Sequence, residues 1–264
     1  MQALPPSMRR IKLMLEYDGT RYHGWQVQPG AMTVQGTLEA CLSKMTNAPV
    51  RVHAAGRTDA GVHALGQVVH FDTASTIALS ALVRGLNSLL AADIAILQAS
   101  EVAADFHARY SARQKTYAYI VRNHPLRSVF YAPYAWYIPQ PLDMAAMRVA
   151  AQVLVGQHDF SAFRASTCTA RHPVRCLSRL GIKRWGDRLF FLLSADGFLQ
   201  HMVRNIVGTL VQVGRGKLPA SAMAAILQSH QRQQAGPTAP PHGLFLVRVT
   251  YDAVNDSHRE GQMQ

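Results

Sequence analysis

Apolar residues recur at two spacings along the first half of the chain, one typical of strands and the other of helices. Val50–Ala54 alternates between apolar and polar positions as a half-buried strand does. The apolar residues from Val34 to Met45 fall on one face of a helix, and Thr33 is a candidate N-cap for it. The predicted elements of this half, in order, are a strand at 11–17, a helix at 34–45, strands at 50–54 and 66–71, a helix at 79–90 and a strand that begins at residue 94.

The second half of the chain repeats this mixture of strands and helices. Its predicted elements are a strand at 115–122, a helix at 143–155, a hairpin at 182–194 that turns at Gly186-Asp187, helices at 201–213 and from residue 219, and a last strand at 244–251. The first half has a βαββαβ-like order, which is typical of small α+β sandwiches. We therefore predict an α+β fold with two similar halves, 10–108 and 112–252, followed by a disordered tail at 253–264.

A polar loop bracketed by glycines lies between the strands predicted at 50–54 and 66–71. It runs Ala55-Gly56-Arg57-Thr58-Asp59-Ala60-Gly61-Val62-His63 and places one carboxylate, Asp59, close to an arginine. Two strands fix such a loop while the loop exposes its side chains, so Asp59 is a candidate catalytic group. The residue types alone favour a simpler interpretation, a tight turn in which Asp59 caps the backbone and Arg57 is solvated.

The chain is strongly basic. Its 27 lysines and arginines outnumber 15 acidic residues and give a net charge of +12, which suggests a polyanionic partner. Arginines interleaved with aromatic residues are expected of an RNA-binding surface, and a solvated basic surface is the alternative. The first such group comprises Arg109, Arg113, Lys115, Arg122 and Arg127 with Phe106, Tyr110, Tyr117, Tyr119, Tyr131 and Tyr134. The second comprises Arg164, Arg171, Arg175, Arg179, Lys183 and Arg184.

Several function classes are disfavoured by composition and motifs. No apolar run approaches the roughly 20 residues of a membrane span, and the N-terminus does not resemble a secretory signal. The three cysteines have no paired spacing, so we expect reduced thiols and a cytoplasmic location. No dinucleotide fingerprint, phosphate-binding loop or zinc-spaced Cys/His set is present, and we therefore predict no cofactor and no metal.

Six further blocks accompany the Asp59 loop in order over roughly residues 10–252. They are Tyr17-Asp18-Gly19-Thr20 with Tyr22-His23-Gly24-Trp25-Gln26; Thr33-Val34-Gln35-Gly36; Phe106-His107-Ala108-Arg109 with Lys115, Tyr117 and Tyr119; His158-Asp159-Phe160; Phe198 with His201 to Gly208; and Gly243-Leu244 with Tyr251. Together with Gly56 to His63 and the following Gly66-Gln67-Val68, these blocks resemble the TruA family of tRNA pseudouridine synthases.

The resemblance implies roles for four residues. Asp59 would be the nucleophile, and Arg204 would pair with it, because a carboxylate in a closed cleft needs a nearby cation to stay ionised. Arg57 would help to hold the target uracil out of its stack, and Tyr117 would stack on the flipped base. From the residues alone, Arg204 is a solvent-facing helix arginine and Tyr117 is a core aromatic of a strand. Whether the carboxylate attacks C6 of the base or C1′ of the ribose stays open.

The same resemblance implies an isomerisation that uses no redox cofactor, phosphate donor or metal. It implies that the mainly antiparallel sheets of the two halves join, with the catalytic cleft between the halves. It also implies a homodimer that binds the tRNA anticodon arm and modifies uridines 38, 39 and 40. The Arg-rich loop at 161–176 has no assigned role.

Two other functions stay open at this point. One is a non-catalytic RNA-binding protein, for which Asp59→Ala would leave function intact. The other is a nucleic-acid glycosidase, a class that usually needs a pair of carboxylates. The distant candidates for a second carboxylate are Asp18 and Asp72.

Overall fold

The structure of the protein is a computed structural model that describes residues 8–252. The described residues form two compact units, the first made of 8–114 with 246–252 and the second of 115–245. The change of unit after residue 114 lies close to the predicted start of the second half at 112. Residues 246–252 differ from the prediction, since they group with the first unit. The predicted tail at 253–264 lies outside the described residues.

The described residues contain ten strands and five α-helices, with short 3-10 turns between them. In chain order they are β1 Arg9–Tyr17, α1 Val34–Thr46, β2 His53–Ala54, β3 His63–Thr73, α2 Leu79–Leu89, β4 Ile94–Val102, β5 Gln114–Asn123, β6 Trp136–Ile138, α3 Met144–Gln152, β7 Gly156–Asp159, β8 Val174–Trp185, β9 Arg188–Ala195, α4 Met202–Gly214, α5 Ala222–Ser229 and β10 Leu244–Thr250. Most strand pairs are antiparallel, and the predicted α+β class is confirmed.

The first unit is built on an antiparallel sheet. β1 pairs with β4 on one side and with β3 on the other, where Leu13 lies opposite Val69. Ile11, Leu13 and Leu15 are fully buried, because every second residue of a strand points to the same face. The short β2 and residues 246–250 of β10 lie beside β3.

Two helices accompany this sheet. The Thr33 side chain accepts a hydrogen bond from Gly36 N at 3.3 Å, which confirms the predicted N-cap of α1. α1 buries Val34, Leu38 and Leu42 on one face, as the apolar spacing predicts. α2 contacts both α1 and β4.

The strand predicted at Val50–Ala54 is shorter than its alternating pattern indicates, since only His53–Ala54 pairs with β3. Side chains of α1 take the backbone donors that a longer strand would use. Val50 N donates to Ser43 Oγ at 3.0 Å, and Val52 N donates to a Glu39 carboxylate oxygen at 3.0 Å. Val50 and Val52 are still buried, so the alternating pattern predicts their burial correctly but predicts too long a strand pairing.

The second unit contains four antiparallel strands in the order β5-β9-β8-β7, and β6 pairs in parallel with β5. The predicted hairpin is confirmed as β8 and β9, which turn at Gly186 with a φ of +59°. Asp143 caps α3 by accepting from Ala146 N at 3.0 Å. Every residue of α4 except Arg204 and Gln212 is buried, so α4 is the central helix of this unit.

Candidate active site

The Asp59 loop is held by the backbone of a preceding segment as well as by its two strands. Thr58 O accepts from Trp25 N at 3.0 Å, and Gly61 N donates to Tyr22 O at 3.3 Å. Within the loop, Val62 N donates to Asp59 O at 3.1 Å. Backbone bonds therefore fix the loop directly before and shortly after Asp59, which leaves that residue little freedom to move.

A buried polar cluster lies beneath this loop. The Tyr17 hydroxyl and Thr58 Oγ1 are 2.8 Å apart, and Gln67 Nε2 lies 3.4 Å from the same hydroxyl. Gln67 Nε2 also donates to Gly56 O at 2.7 Å. Burial raises the pKa of Tyr17 to about 12, so its hydroxyl stays neutral and available as a hydrogen-bonding group. The cluster ties β1 and β3 to both ends of the segment that carries Arg57.

Close packing explains one of the glycines in front of the loop. Gly24 has a φ of +84°, and a Cβ atom there would lie 2.8 Å from Thr58 O and 3.1 Å from Ala60 N. A side chain at this position would therefore meet the backbone on both sides of Asp59. The structure thus gives a physical reason for the glycine in the Tyr22-His23-Gly24-Trp25 segment that accompanies the loop.

Asp59 and Arg57, two of the predicted site residues, share this loop. Asp59 is half-buried, whereas Arg57 is exposed. A half-buried carboxylate can reach a substrate at the protein surface, and the backbone bonds of the loop keep that carboxylate in a fixed position. The interpretation as a solvated turn is correct for the Arg57 side chain, but it does not account for the buried cluster below it.

Arg204, in the first turn of α4, belongs to the second unit. Its Nε donates to Ala239 O at 2.7 Å, and Ala239 N donates to Arg204 O at 3.1 Å. The residue-based interpretation of Arg204 as a solvent-facing arginine is incomplete, because the residue is half-buried and its Nε bonds to a loop carbonyl. Burial raises the pKa of the nearby Tyr119 hydroxyl, and the positive charge of Arg204 opposes that rise.

Tyr117 also belongs to the second unit, on β5. It lies opposite Leu193 of β9 and is 7% exposed. Its ring meets the edge of Phe198 at 5.1 Å between centroids and an angle of 83°. This contact with the segment that leads into α4 fixes the plane of the ring.

The predicted RNA-binding aromatics divide into buried and exposed groups. Phe106, Tyr117 and Tyr119 are buried core residues, and the Tyr119 hydroxyl donates to Pro240 O at 2.8 Å. Tyr110 is 75% exposed and has the Arg109 guanidinium 5.5 Å from its ring centroid. Aromatic content along the sequence therefore overstates the surface that could stack on bases.

Comparison with known proteins decides the family. The family model described as tRNA pseudouridine synthase matches residues 13–111 and 150–252. This chain belongs to the tRNA pseudouridine synthase family. Members of the family are isomerases that act on tRNA, and the chain is 51% identical over 245 residues to tRNA pseudouridine synthase A of Myxococcus xanthus, covering 92% of each.

A second relative agrees with this family membership. The chain is 49% identical over 243 residues to tRNA pseudouridine synthase A of Moorella thermoacetica, covering 91% of this chain and 99% of that one. A solved Cbf5–Nop10–Gar1 complex aligns with 11% identity and a TM-score of 0.35, covering 89% of this chain and 57% of that chain. Within residues 8–252, no helix is long and apolar enough to cross a membrane.

Sequence reasoning missed Tyr17, Gln67 and Gly24 as parts of the site's support. Tyr17 and Gln67 occupy ordinary strand positions, so periodicity gives no sign that their polar ends meet under a loop 41 and 11 residues away. A buried glutamine within an apolar strand is the one local signal, because such a group needs hydrogen-bond partners.

Proposed function

We propose that this synthase isomerises uridines 38, 39 and 40 of the tRNA anticodon stem-loop to pseudouridine, with Asp59 as the nucleophile. The observation that supports this most is the Asp59 loop, which is fixed by backbone hydrogen bonds to Trp25 and Tyr22 and by the Tyr17 cluster. Pre-organisation of this kind is what a nucleophile needs, since catalysis depends on holding the reacting group in place.

The reaction breaks the bond between ribose C1′ and uracil N1 and forms a bond between C1′ and C5. N1 gains a proton and C5 loses one, so the product has the mass of the substrate. Asp59 begins this process by attack on C6 of the base or C1′ of the ribose. Both routes need an ionised carboxylate, which we propose is stabilised by the Arg204 guanidinium, oriented through its bond to Ala239 O.

The target base must leave its stack before Asp59 can reach it, at a cost of roughly a few kcal/mol. We propose that the exposed Arg57 holds the displaced nucleotide and that Tyr117 stacks on the uracil. Stacking on an aromatic ring contributes about 1–3 kcal/mol per base, which would offset much of the cost. The edge contact with Phe198 supports this role for Tyr117, because it fixes the ring plane before the base arrives.

We further propose that the protein is a homodimer that uses an exposed apolar patch of the second unit. Four of its side chains are more than 65% exposed, namely Leu126, Val129, Phe130 and Trp185. The Arg188 guanidinium lies 4.8 Å from the Trp185 ring and 5.0 Å from the Tyr131 ring, which connects the two segments of the patch. Apolar patches rich in aromatic residues and arginine are typical of protein interfaces.

Light scattering tests the homodimer. The wild type should have about twice the chain mass of 29.1 kDa, and Phe130→Asp should reduce the mass towards that of one chain. Val149→Asp is the matched control, because Val149 is an exposed valine on α3 outside the patch and should leave the mass unchanged. A wild type with the mass of one chain at micromolar concentration would contradict the proposal.

Primer extension after carbodiimide treatment tests the target positions. An unmodified tRNA with uridines at 38, 39 and 40 should give new stops at those three positions after incubation with the synthase. A matched tRNA with cytidines there should give none, although it should bind with similar affinity. Stops at other uridines of the anticodon arm would reject the proposed positions, and release of free uracil would favour a glycosidase.

A further inference from the structure

We propose that Arg232 is a positioning residue that orients Arg204 through the loop at 235–240. The inference rests on the proposed pairing of Arg204 with Asp59. Arg232 reaches neither the Arg204 guanidinium nor the Asp59 loop with its four hydrogen bonds. It acts on the carbonyl that holds Arg204 Nε.

The Arg232 guanidinium donates hydrogen bonds to several parts of the loop and to α4. Nη1 donates to Gly236 O at 2.9 Å and to Ala235 O at 3.3 Å. Nη2 donates to Thr238 Oγ1 at 3.0 Å and to Asn205 Oδ1 at 3.1 Å. All four acceptors are neutral, and burial lowers the pKa of Arg232. A planar guanidinium fork can hold several acceptors at fixed angles, which an ammonium cannot do.

Asn205 links this cluster to α4, where it directly follows Arg204. It is fully buried, and its Nδ2 donates to Phe163 O at 2.7 Å. Its Oδ1 accepts from both Thr238 Oγ1, at 2.7 Å, and Arg232. Every polar atom of the Asn205 side chain thus bonds to another part of the unit, so α4 cannot shift against the loop without breaking these bonds.

The backbone of the loop is attached to α4 at two further levels. Gly236 N donates to Thr209 Oγ1 at 2.9 Å, and a Cβ atom on Gly208 would lie only 1.7 Å from Pro237 O. One turn away, Ala239 exchanges two hydrogen bonds with Arg204, one through each of its backbone polar atoms. The loop therefore follows α4 closely from Thr209 to Arg204, and Arg232 lies at its centre.

This arrangement separates the positioning role from a purely structural one. The position of Ala239 O sets the direction of Arg204 Nε, and Ala239 directly follows Thr238, which Arg232 holds. If the loop relaxes, the fold survives through the apolar burial of α4, but the guanidinium turns away from its working direction. A displacement of about 1 Å in a catalytic group can reduce turnover by about a hundredfold.

Arg232→Lys tests the inference because it keeps the charge and removes the fork. We expect kcat for pseudouridine formation to fall by about 10- to 100-fold, while the Kd for tRNA stays within about twofold of the wild type. Arg148→Lys is the control, since Arg148 is an exposed arginine of this unit whose guanidinium also donates two hydrogen bonds to one backbone carbonyl, Ile182 O. It should lose stability without losing kcat.

A double-mutant cycle with Arg204→Lys identifies the route. If Arg232 acts through Arg204, the double variant should be no slower than Arg204→Lys alone. The inference would be overturned if the double variant loses the product of the two single-variant fold-losses in kcat. It would also be overturned if Arg232→Lys keeps the wild-type kcat while Arg204→Lys is slow. Wild-type kcat in Arg204→Lys would instead reject the proposed role of Arg204, and the inference would fail with it.

Discussion

Replacing Gly24 by alanine should displace the Asp59 loop while leaving the rest of the first unit folded. The new Cβ atom would lie 2.8 Å from Thr58 O and 3.1 Å from both Ala60 N and the Asp59 carbonyl carbon. All three are backbone atoms, which cannot rotate away as a flexible side chain could. The loop must therefore shift by several tenths of an ångström or more.

Gly30 provides a matched control for this substitution. Its φ of +70° is close to the +84° of Gly24, but a Cβ atom there would have nothing within 4 Å. The left-handed conformation should cost alanine about 1–2 kcal/mol at either position. At about 2–4 °C per kcal/mol for chains of this size, Gly30→Ala should lower the Tm by about 2–8 °C. Gly24→Ala carries the same cost and, in addition, the displacement of the loop.

The two variants should therefore have similar costs from backbone strain but very different activities. Single-turnover pseudouridine formation on saturating tRNA should fall by about a hundredfold in Gly24→Ala and by less than about twofold in Gly30→Ala. Thermal unfolding monitored by circular dichroism would establish that both variants are folded at the assay temperature. Equal activity losses in the two variants, or wild-type activity in Gly24→Ala, would refute the account of how this loop is held.

Three further predictions concern the base contact, acid stability and RNA binding. Tyr117→Phe should retain most turnover, whereas Tyr117→Leu should lose about 1–3 kcal/mol of transition-state stabilisation, measured from kcat/KM. Equal kcat/KM values for the two variants would exclude stacking. Burial, aided by the charges of His107 and Arg10, lowers the pKa of His70 from 6.5 to about 3. The contribution of neutral His70 to the free energy of unfolding is therefore complete above pH 6.5 and is lost as the pH falls towards 3. His70→Gln should consequently flatten the acid dependence of the urea midpoint, and an unchanged dependence would assign acid unfolding to other groups. The tRNA affinity should fall steeply, by about 10³-fold or more between 50 and 200 mM salt if about six phosphates are contacted, and a flat dependence would mean that the charge of +12 does not face RNA.

Periodicity predicts the elements of this protein well because burial of apolar side chains largely determines them. The alternation in β1 and the helical spacing in α1 correspond directly to the residues that the structure buries. The same reasoning fails at Val50–Ala54, where Ser43 and Glu39 of the preceding helix occupy the backbone donors of Val50 and Val52. Such competition between side chains and a strand partner depends on tertiary contacts, which a local pattern does not contain.

The candidate site was predictable only in part. Asp59 lies in a recognisable motif, and resemblance to a family draws attention to Arg204 and Tyr117. The groups that hold these residues are harder to find. Tyr17 lies in a block that resembles the family, but nothing in that block indicates that its hydroxyl supports the loop, and Arg232 is one of several arginines outside the blocks. Their roles follow from distances between segments far apart in the chain, such as the 2.8 Å between the Tyr17 hydroxyl and Thr58 Oγ1.

The most direct test of the account is single-turnover pseudouridine formation by Asp59→Asn, measured by chromatography of nucleosides from tRNA at saturating enzyme. Asp143→Asn is the control, since asparagine caps a helix about as well as aspartate and α3 lies in the other unit. We predict no detectable product from Asp59→Asn, with tRNA affinity unchanged, and wild-type rates from the control. Product formation by Asp59→Asn within about tenfold of the wild-type rate would contradict the assignment of Asp59 as the nucleophile.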